Sequence, residues 1–166
     1  MATLQVELEP ARLTHSGPIA AGMREIDRQE CEALGRSPKA AIRWGLATSL
    51  SAYTAVRKGK PVAMIGVGAE NMLAGKGTIW MLGTEDVYNS GKALLTYGPK
   101  LIEMWLTRFT VLENIISIDN ARGINLLQRL GFTIDITDVR THGGVEFIPF
   151  WIERDDSRGP SHTVGE

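Results

Sequence analysis

The 166-residue sequence predicts an α/β domain, a mixed central sheet of about seven strands with helices packed on its faces. Three observations carry that expectation. Val111 to Phe132 reads as a buried strand, a short amphipathic helix and the start of a further strand. Two strand-like runs flank Arg57-Lys58-Gly59-Lys60, a hairpin turn whose glycine takes positive φ. Tyr88 to Arg108 has the apolar spacing of a long helix and lies between two strand patterns.

Leu4, Val6 and Leu8 alternate with polar residues as a first strand, stopped by Pro10. Pro18 opens a first helix running to about Leu34 and closed by Gly35, with Ile19, Met23, Ile26 and Leu34 as its apolar positions. Ser37-Pro38 pairs an N-cap with a first-turn proline, starting a helix that carries Ala41, Trp44, Leu46 and Leu50. The hairpin follows as Tyr53 to Val56 and Pro61 to Val67. A loop from Gly68 to Gly77 then leads to a buried strand, Thr78 to Gly83. The long helix presents Leu94, Leu95, Leu101, Ile102, Trp105 and Leu106 to the core. In the next unit Val111, Ile115, Ile116 and Ile118 form the strand, and Asp119 and Asn120 are N-cap residues. Ile124, Leu127 and Leu130 line the helix, and Gly131 sits where it ends in a left-handed turn. Phe132 to Val139 and Val145 to Ile152 form the last strand pair, around Thr141 to Gly144. Residues 1–154 thus make one domain, and Asp155 to Glu166 reads as a polar, disordered tail.

Composition narrows the function classes. Hydrophobic residues are 43% and charged ones 22%, ordinary for a soluble globular protein, and the net charge of −1 gives no bulk attraction to nucleic acid or anionic membrane. No basic-then-apolar leader opens the chain, and no apolar run approaches the roughly 18 residues of a membrane span, so a cytoplasmic location is expected. The single cysteine, Cys31, excludes an internal disulfide. Glu30 and Glu32 beside it raise its thiol pKa, which fits an inert thiol. Three scattered histidines and one cysteine make no metal site. Gly91-Lys92 lacks the earlier glycine of a phosphate-binding loop, and Gly66-Val67-Gly68 lacks the third glycine of a dinucleotide fingerprint.

The pattern Asn-x-x-small-x-x-Leu-x-x-x-Leu-Gly-Phe, here Asn120, Gly123, Leu126, Leu130, Gly131 and Phe132, resembles the second half of the GNAT acyltransferase fold. The predicted order β-α-α-β-β-β-α-β-α-β-β resembles that fold over the whole chain. Met23 to Glu30, Ile79 to Thr84, Asp119-Asn120 and Leu130 to Phe132 are similar to small GNAT-like proteins of podovirus-type bacteriophages. That group is described both as predicted acetyltransferases and as internal virion proteins.

The resemblance implies a sheet splayed between strands four and five, acetyl-CoA as donor, and an amine on a small molecule or host protein as acceptor. It places Met81, Leu82 and Gly83 along the pantetheine arm together with Asn120, and Ser90, Gly91 and Lys92 at the pyrophosphate. Glu85 and Glu70 are the candidate general bases, each with an alternative as a solvated loop carboxylate. The pyrophosphate loop departs from the family pattern: it is short, its leading Arg or Gln is absent, and Glu85 and Asp86 would repel phosphate unless they cap the following helix. The usual general-acid tyrosine is replaced by Leu127; Tyr88 and Tyr97 read as packing residues, and His142 as an exposed turn residue. Arg24, Asp27 and Glu30 share one helical face, as surface ion pairs or as an acidic rim drawing an amine to the cleft. The alternative to an enzyme is a catalytically inactive module that binds a host protein or sits inside a virion.

Overall fold

A computed structural model describes residues 6–89 and 91–157, with residues 70 and 71 as backbone alone. Eight strands form one sheet: β1 (Val6–Pro10), β2 (Ser49–Arg57), β3 (Lys60–Asn71), β4 (Lys76–Gly83), β5 (Val111–Ser117), β6 (Thr133–Ile134), β7 (Arg140–His142) and β8 (Val145–Glu153). The spatial order is β1-β2-β3-β4-β5-β8-β6, with β7 also paired to β8. Every pairing is antiparallel except β4 with β5. Of the first-strand residues expected from alternation, Leu4 lies outside the described residues.

The hairpin turns on Lys58 and Gly59, both at positive φ (51° and 75°), the geometry whose twist suits a two-residue connection. Six helices cover the sheet: α1 (Ser16–Ala21), α2 (Glu25–Ala33), α3 (Pro38–Thr48), α4 (Glu85–Asn89), α5 (Gly91–Leu106) and α6 (Ala121–Arg129). Ile19, Met23, Cys31 and Ile42 of the first three helical segments pack with Met64, Trp80 and Leu82 on one face. On the other, Leu101, Ile102 and Trp105 of α5 pack with Val67, Leu112, Ile116, Phe132, Ile148 and Phe150. Strand β4 therefore buries both of its faces, Met81 toward α5 and Trp80 and Leu82 toward α1–α3.

Several expected elements come out differently: Leu50, expected on the second helix, lies in β2, and the loop expected from Gly68 to Gly77 is largely the end of β3 and the start of β4. The helix anticipated from Pro18 to Leu34 is two helices, because Met23 bridges Thr84 and the Arg24 amide donates to the Gly83 carbonyl, which pulls Gly22 to Arg24 out of helical geometry. The helix anticipated from Tyr88 starts earlier, as the separate α4. The strand anticipated from Phe132 to Val139 breaks after Ile134, where the Asp135 carboxylate accepts from the Thr137 amide and hydroxyl and turns the chain. Gly131 closes α6 at φ 94°. Residues 155–157 continue past β8, and the rest of the expected tail, 158–166, lies outside the described residues.

Candidate active site

Strands β4 and β5 are paired only over Lys76–Val111, Gly77–Leu112 and Thr78–Glu113, and beyond those residues they part. A strand that loses its neighbour exposes N–H and C=O groups that need other partners. Thr84 donates its amide to the Val62 carbonyl on β3, so by the antiparallel alternation Leu82 and Trp80 also face β3, while Ile79, Met81 and Gly83 face the opening.

Side chains answer most of those groups. At the vertex, Asn114 Nδ2 donates to the Ile79 carbonyl at 2.7 Å, and its Oδ1 accepts from the Ile115 amide at 2.8 Å. One amide group thus replaces the first missing rung. At the end of β4, Gly83 donates to Asp27 Oδ2 at 3.1 Å and accepts from the Arg24 amide at 2.9 Å. At the end of β5, Ser117 donates to Glu30 Oε1 at 3.0 Å, and Asn120 Nδ2 donates to the same oxygen at 3.2 Å. Two carboxylates one turn apart on α2 therefore each hold one lip of the cleft. Between these clamps, Met81 turns its N–H and C=O toward the parted edge and lines the cavity.

Burial raises the pKa of both acids. Asp27 is pushed up to about 6, although the Arg24 guanidinium 3.3 Å away and the Gly83 amide act to lower it. Glu30 is pushed up to about 7, against the lowering effect of the Ser117 amide and the Asn120 side chain. Arg24 is itself only 5% exposed, its guanidinium 4.0 Å from the centre of the Tyr88 ring. Burial likewise pushes the Tyr88 phenol up to about 12. Asp27 and Glu30 share one face of α2, while Arg24 lies just before the helix, outside helical geometry. The reading of Arg24 and Asp27 as surface ion pairs is corrected, since both are buried beneath the cleft mouth.

The cleft opens into a cavity of about 320 Å³ that passes between the strands, from beneath α5 to the α2–α3 side. Met81, Leu82, Asn120 and Gly123 are among its walls. Gly123 has to be glycine: a Cβ there would lie 2.8 Å from Asn120 Oδ1. Asn120 caps α6 through the Gly123 amide at 3.0 Å, so it acts as helix cap and as Glu30's partner at once. Trp80 does not block the opening. It lies flat between Gly45 and Gly66, where a Cβ on either would sit 2.8 Å from the indole, and its N–H donates to Ser49 Oγ. Trp105 is held at the wall by its own bond to Ser51 Oγ.

The other anticipated residues lie further out. Glu70 is in β3, near the paired end of β4 rather than the open one, and its side chain lies outside the described residues. Glu85 stands at the mouth in an ion pair with Arg122 at 3.0 Å and within 3.8 Å of Arg24 Nε. Asp86 pairs with Arg57 at 3.9 Å. Gly91 and Lys92 are exposed at the start of α5, with open space around the glycine, and Ser90 lies outside the described residues. The connection out of β4 is Thr84 followed at once by α4, and the Val87 amide is bonded to the Thr84 carbonyl. The Met81 edge and the cavity fit a pantetheine arm. The nearby cations are not gathered into a phosphate cradle: Arg122 is paired with Glu85, and Lys92 is exposed in the first turn of α5.

Asn114 was not among the anticipated site residues; its only sequence signal is a polar residue inside the Val111 to Ile118 apolar run. Tyr97 packs as expected, its hydroxyl bonded to the Val6 carbonyl at 3.1 Å, and His142 is an exposed residue of β7 against Phe147. Among the described residues no helix is long and apolar enough to cross a membrane.

No family model matches the chain, and no curated protein matches its sequence. Solved structures do match. An acetyltransferase of the GNAT family from Bacillus anthracis is 9% identical, with TM-score 0.66, 90% of this chain and 95% of that one covered. The ribosomal-protein-S5-alanine acetyltransferase from Vibrio fischeri is 11% identical, with TM-score 0.63 and coverages of 95% and 98%. Spermidine N-acetyltransferase from Vibrio cholerae, solved with CoA and spermine, is 9% identical, with TM-score 0.62 and coverages of 91% and 96%. At such identities the likeness is one of fold: this chain has the GNAT acetyltransferase fold, parted between β4 and β5.

Proposed function

We propose that the chain is an N-acyltransferase that takes an acyl group from a coenzyme A thioester, with acetyl-CoA the simplest donor, and passes it to an amine entering from the α2 side. The observation that carries this reading is the pairing of an open backbone edge at Met81 with the Glu30 carboxylate across the same cleft. A coenzyme A thioester supplies an activated carbonyl carbon. The Met81 N–H is free to hydrogen-bond the carbonyl oxygen as charge gathers there. Glu30, with a pKa of about 7, is poised to take the proton from the attacking amine, and Asp27 adds negative charge to attract it. The low-dielectric wall strengthens both effects. Among the solved relatives by fold, the Vibrio cholerae enzyme holds a polyamine together with CoA, which agrees with an amine acceptor meeting acidic residues.

A second reading, that of an inactive module binding a host protein or packed in a phage particle, draws on α4. Glu85 and Asp86 stand where the fold usually presents amides to a diphosphate. Calorimetric titration with acetyl-CoA, checked by thermal shift, decides between the two. Saturable micromolar binding, weakened by charge removal at Arg122, supports the enzyme. Neither heat nor shift at millimolar ligand overturns it.

A further inference from the structure

We infer that the acceptor is an acidic protein segment, an amine followed by a run of carboxylate side chains that lie along the outer face of α3; this rests on the acyl-transfer reading above. A shallow groove follows that face from Arg36 to Ala47, with Lys39, Arg43 and Trp44 along it. Arg36 and Trp44 line this groove and also the cavity that holds Asp27 and Glu30, so the two are continuous at the α2–α3 mouth. The Arg36 amide donates to the Cys31 carbonyl at 3.0 Å, which sets Arg36 just beyond the helical turn that bears Glu30.

The groove is basic without compensation. Between Glu32 and Glu70 the sequence has no Asp or Glu. Among the described residues Arg36, Lys39 and Arg43 form no ion pair, whereas Arg24, Arg57 and Arg122 are each paired to an acid. The electrostatics of α3 itself oppose this arrangement. Arg36 and Lys39 stand at its N-terminal end, where the helix dipole disfavours cations. Lys39 and Arg43 are four residues apart, a like-charge pair on one face. Carboxylates of a partner would offset both effects.

Trp44 supplies the apolar part of the surface. It is 48% exposed, with the Arg36 guanidinium 4.5 Å from its ring centre, and the exposed Leu34 shares the cavity wall with both. Tryptophan and arginine are the residue types that most often anchor protein interfaces. From Arg36 to Ala47 the groove runs roughly 16 Å at the helical rise, room for about five extended residues. A small amine would touch only its inner end. Nucleic acid offers phosphates but no aliphatic amine for the cleft, whereas a polypeptide offers carboxylates and an amine together. The acids lie inside and the cations outside, so such a segment fits in one direction, amine first. In the transfer a bond forms from the amine nitrogen to the acyl carbon, the carbon–sulfur bond breaks, the proton goes to Glu30 and the thiolate leaves.

Fluorescence anisotropy with two labelled peptides tests the inference: one has a free N-terminus, two glycines and then five glutamates, the other has glutamines in place of the glutamates. The full chain should bind the glutamate peptide about tenfold tighter at low salt, the worth of two or three exposed ion pairs, and lose that margin in about 0.5 M salt. Lys39→Gln with Arg43→Gln should abolish the margin and raise KM for the glutamate peptide about tenfold with kcat unchanged. The double variant should unfold at a temperature no lower than wild type, because it relieves the like-charge pair. A lower temperature would refute the premise that these charges oppose α3, and the inference with it. Equal binding of the two peptides, a margin that survives in the double variant, or a thymidine oligonucleotide that outcompetes the glutamate peptide overturns the inference. Calorimetric binding of acetyl-CoA in the same samples would then leave acyl transfer standing. If acetyl-CoA does not bind, the acyl-transfer reading falls, and the inference with it.

Discussion

Glu30→Gln tests the carboxylate on which the site depends. Burial raises the Glu30 pKa from 4.5 to about 7, so the folded protein holds a proton there that the unfolded chain releases at lower pH. Stability must fall as pH rises across that window, and the interval corresponds to roughly 3 kcal/mol for this one group. Asp27 has the same sign between 3.8 and about 6. A glutamine whose Oε1 occupies the same place keeps the bonds from the Ser117 amide and Asn120 Nδ2 but carries no charge. Urea unfolding at pH 4 through 8 should show wild type and Glu30→Gln equally stable at pH 4. By pH 8 the variant should be more stable by up to about 3 kcal/mol, with only the decline due to Asp27 left. On the acyl-transfer proposal, transfer from a coenzyme A thioester should be lost in the same variant. A variant that declines in parallel with the wild type, or is weaker at pH 8, would refute the account of Glu30 as a desolvated base.

Other perturbations read different parts of the site. Asn120→Ala removes the α6 cap and one donor to Glu30, so a loss of about 1–2 kcal/mol is expected by denaturant titration. That loss should be smaller in a Glu30→Gln background, because the two side chains are coupled. Asn114→Leu strips partners from the Ile79 carbonyl and the Ile115 amide together, and should cost about 1–3 kcal/mol by the same assay. Gly45→Ala drives a methyl into the Trp80 ring and should cost about 1–3 kcal/mol, with a change in tryptophan fluorescence. The Cys31 thiol, buried and pushed up to about 12, should react with a disulfide reagent only when the protein unfolds.

What could be read from the chain was what local chemistry decides. The Lys58-Gly59 turn, the Ser37 cap on α3 and the Asn120 to Gly131 unit each carry their signal within a few residues. The break between α1 and α2 was not legible, because it is made by bonds to distant residues. Arg24 leaves helical geometry to reach Gly83, which nothing between Pro18 and Leu34 announces. The same limit applies to the site. Asp27 and Glu30 could be seen on one helical face, but their burial depends on where β4 and β5 part. Asn114 appeared only as a polar residue within an apolar strand; its two partners are set by the splay.

The splay itself explains why the site lies where it does. Parting two central strands leaves buried backbone groups that must be paired, and each answer consumes a side chain. Asn114 answers at the vertex, Asp27 at the lip of β4, and Glu30 with Asn120 at the lip of β5. Two of these are carboxylates raised by burial, an arrangement that costs stability at neutral pH. Neutral side chains would hold the same amides without that cost, as Asn114 does. Titratable groups at this position, facing the edge of Met81, are what the acyl-transfer proposal puts to use.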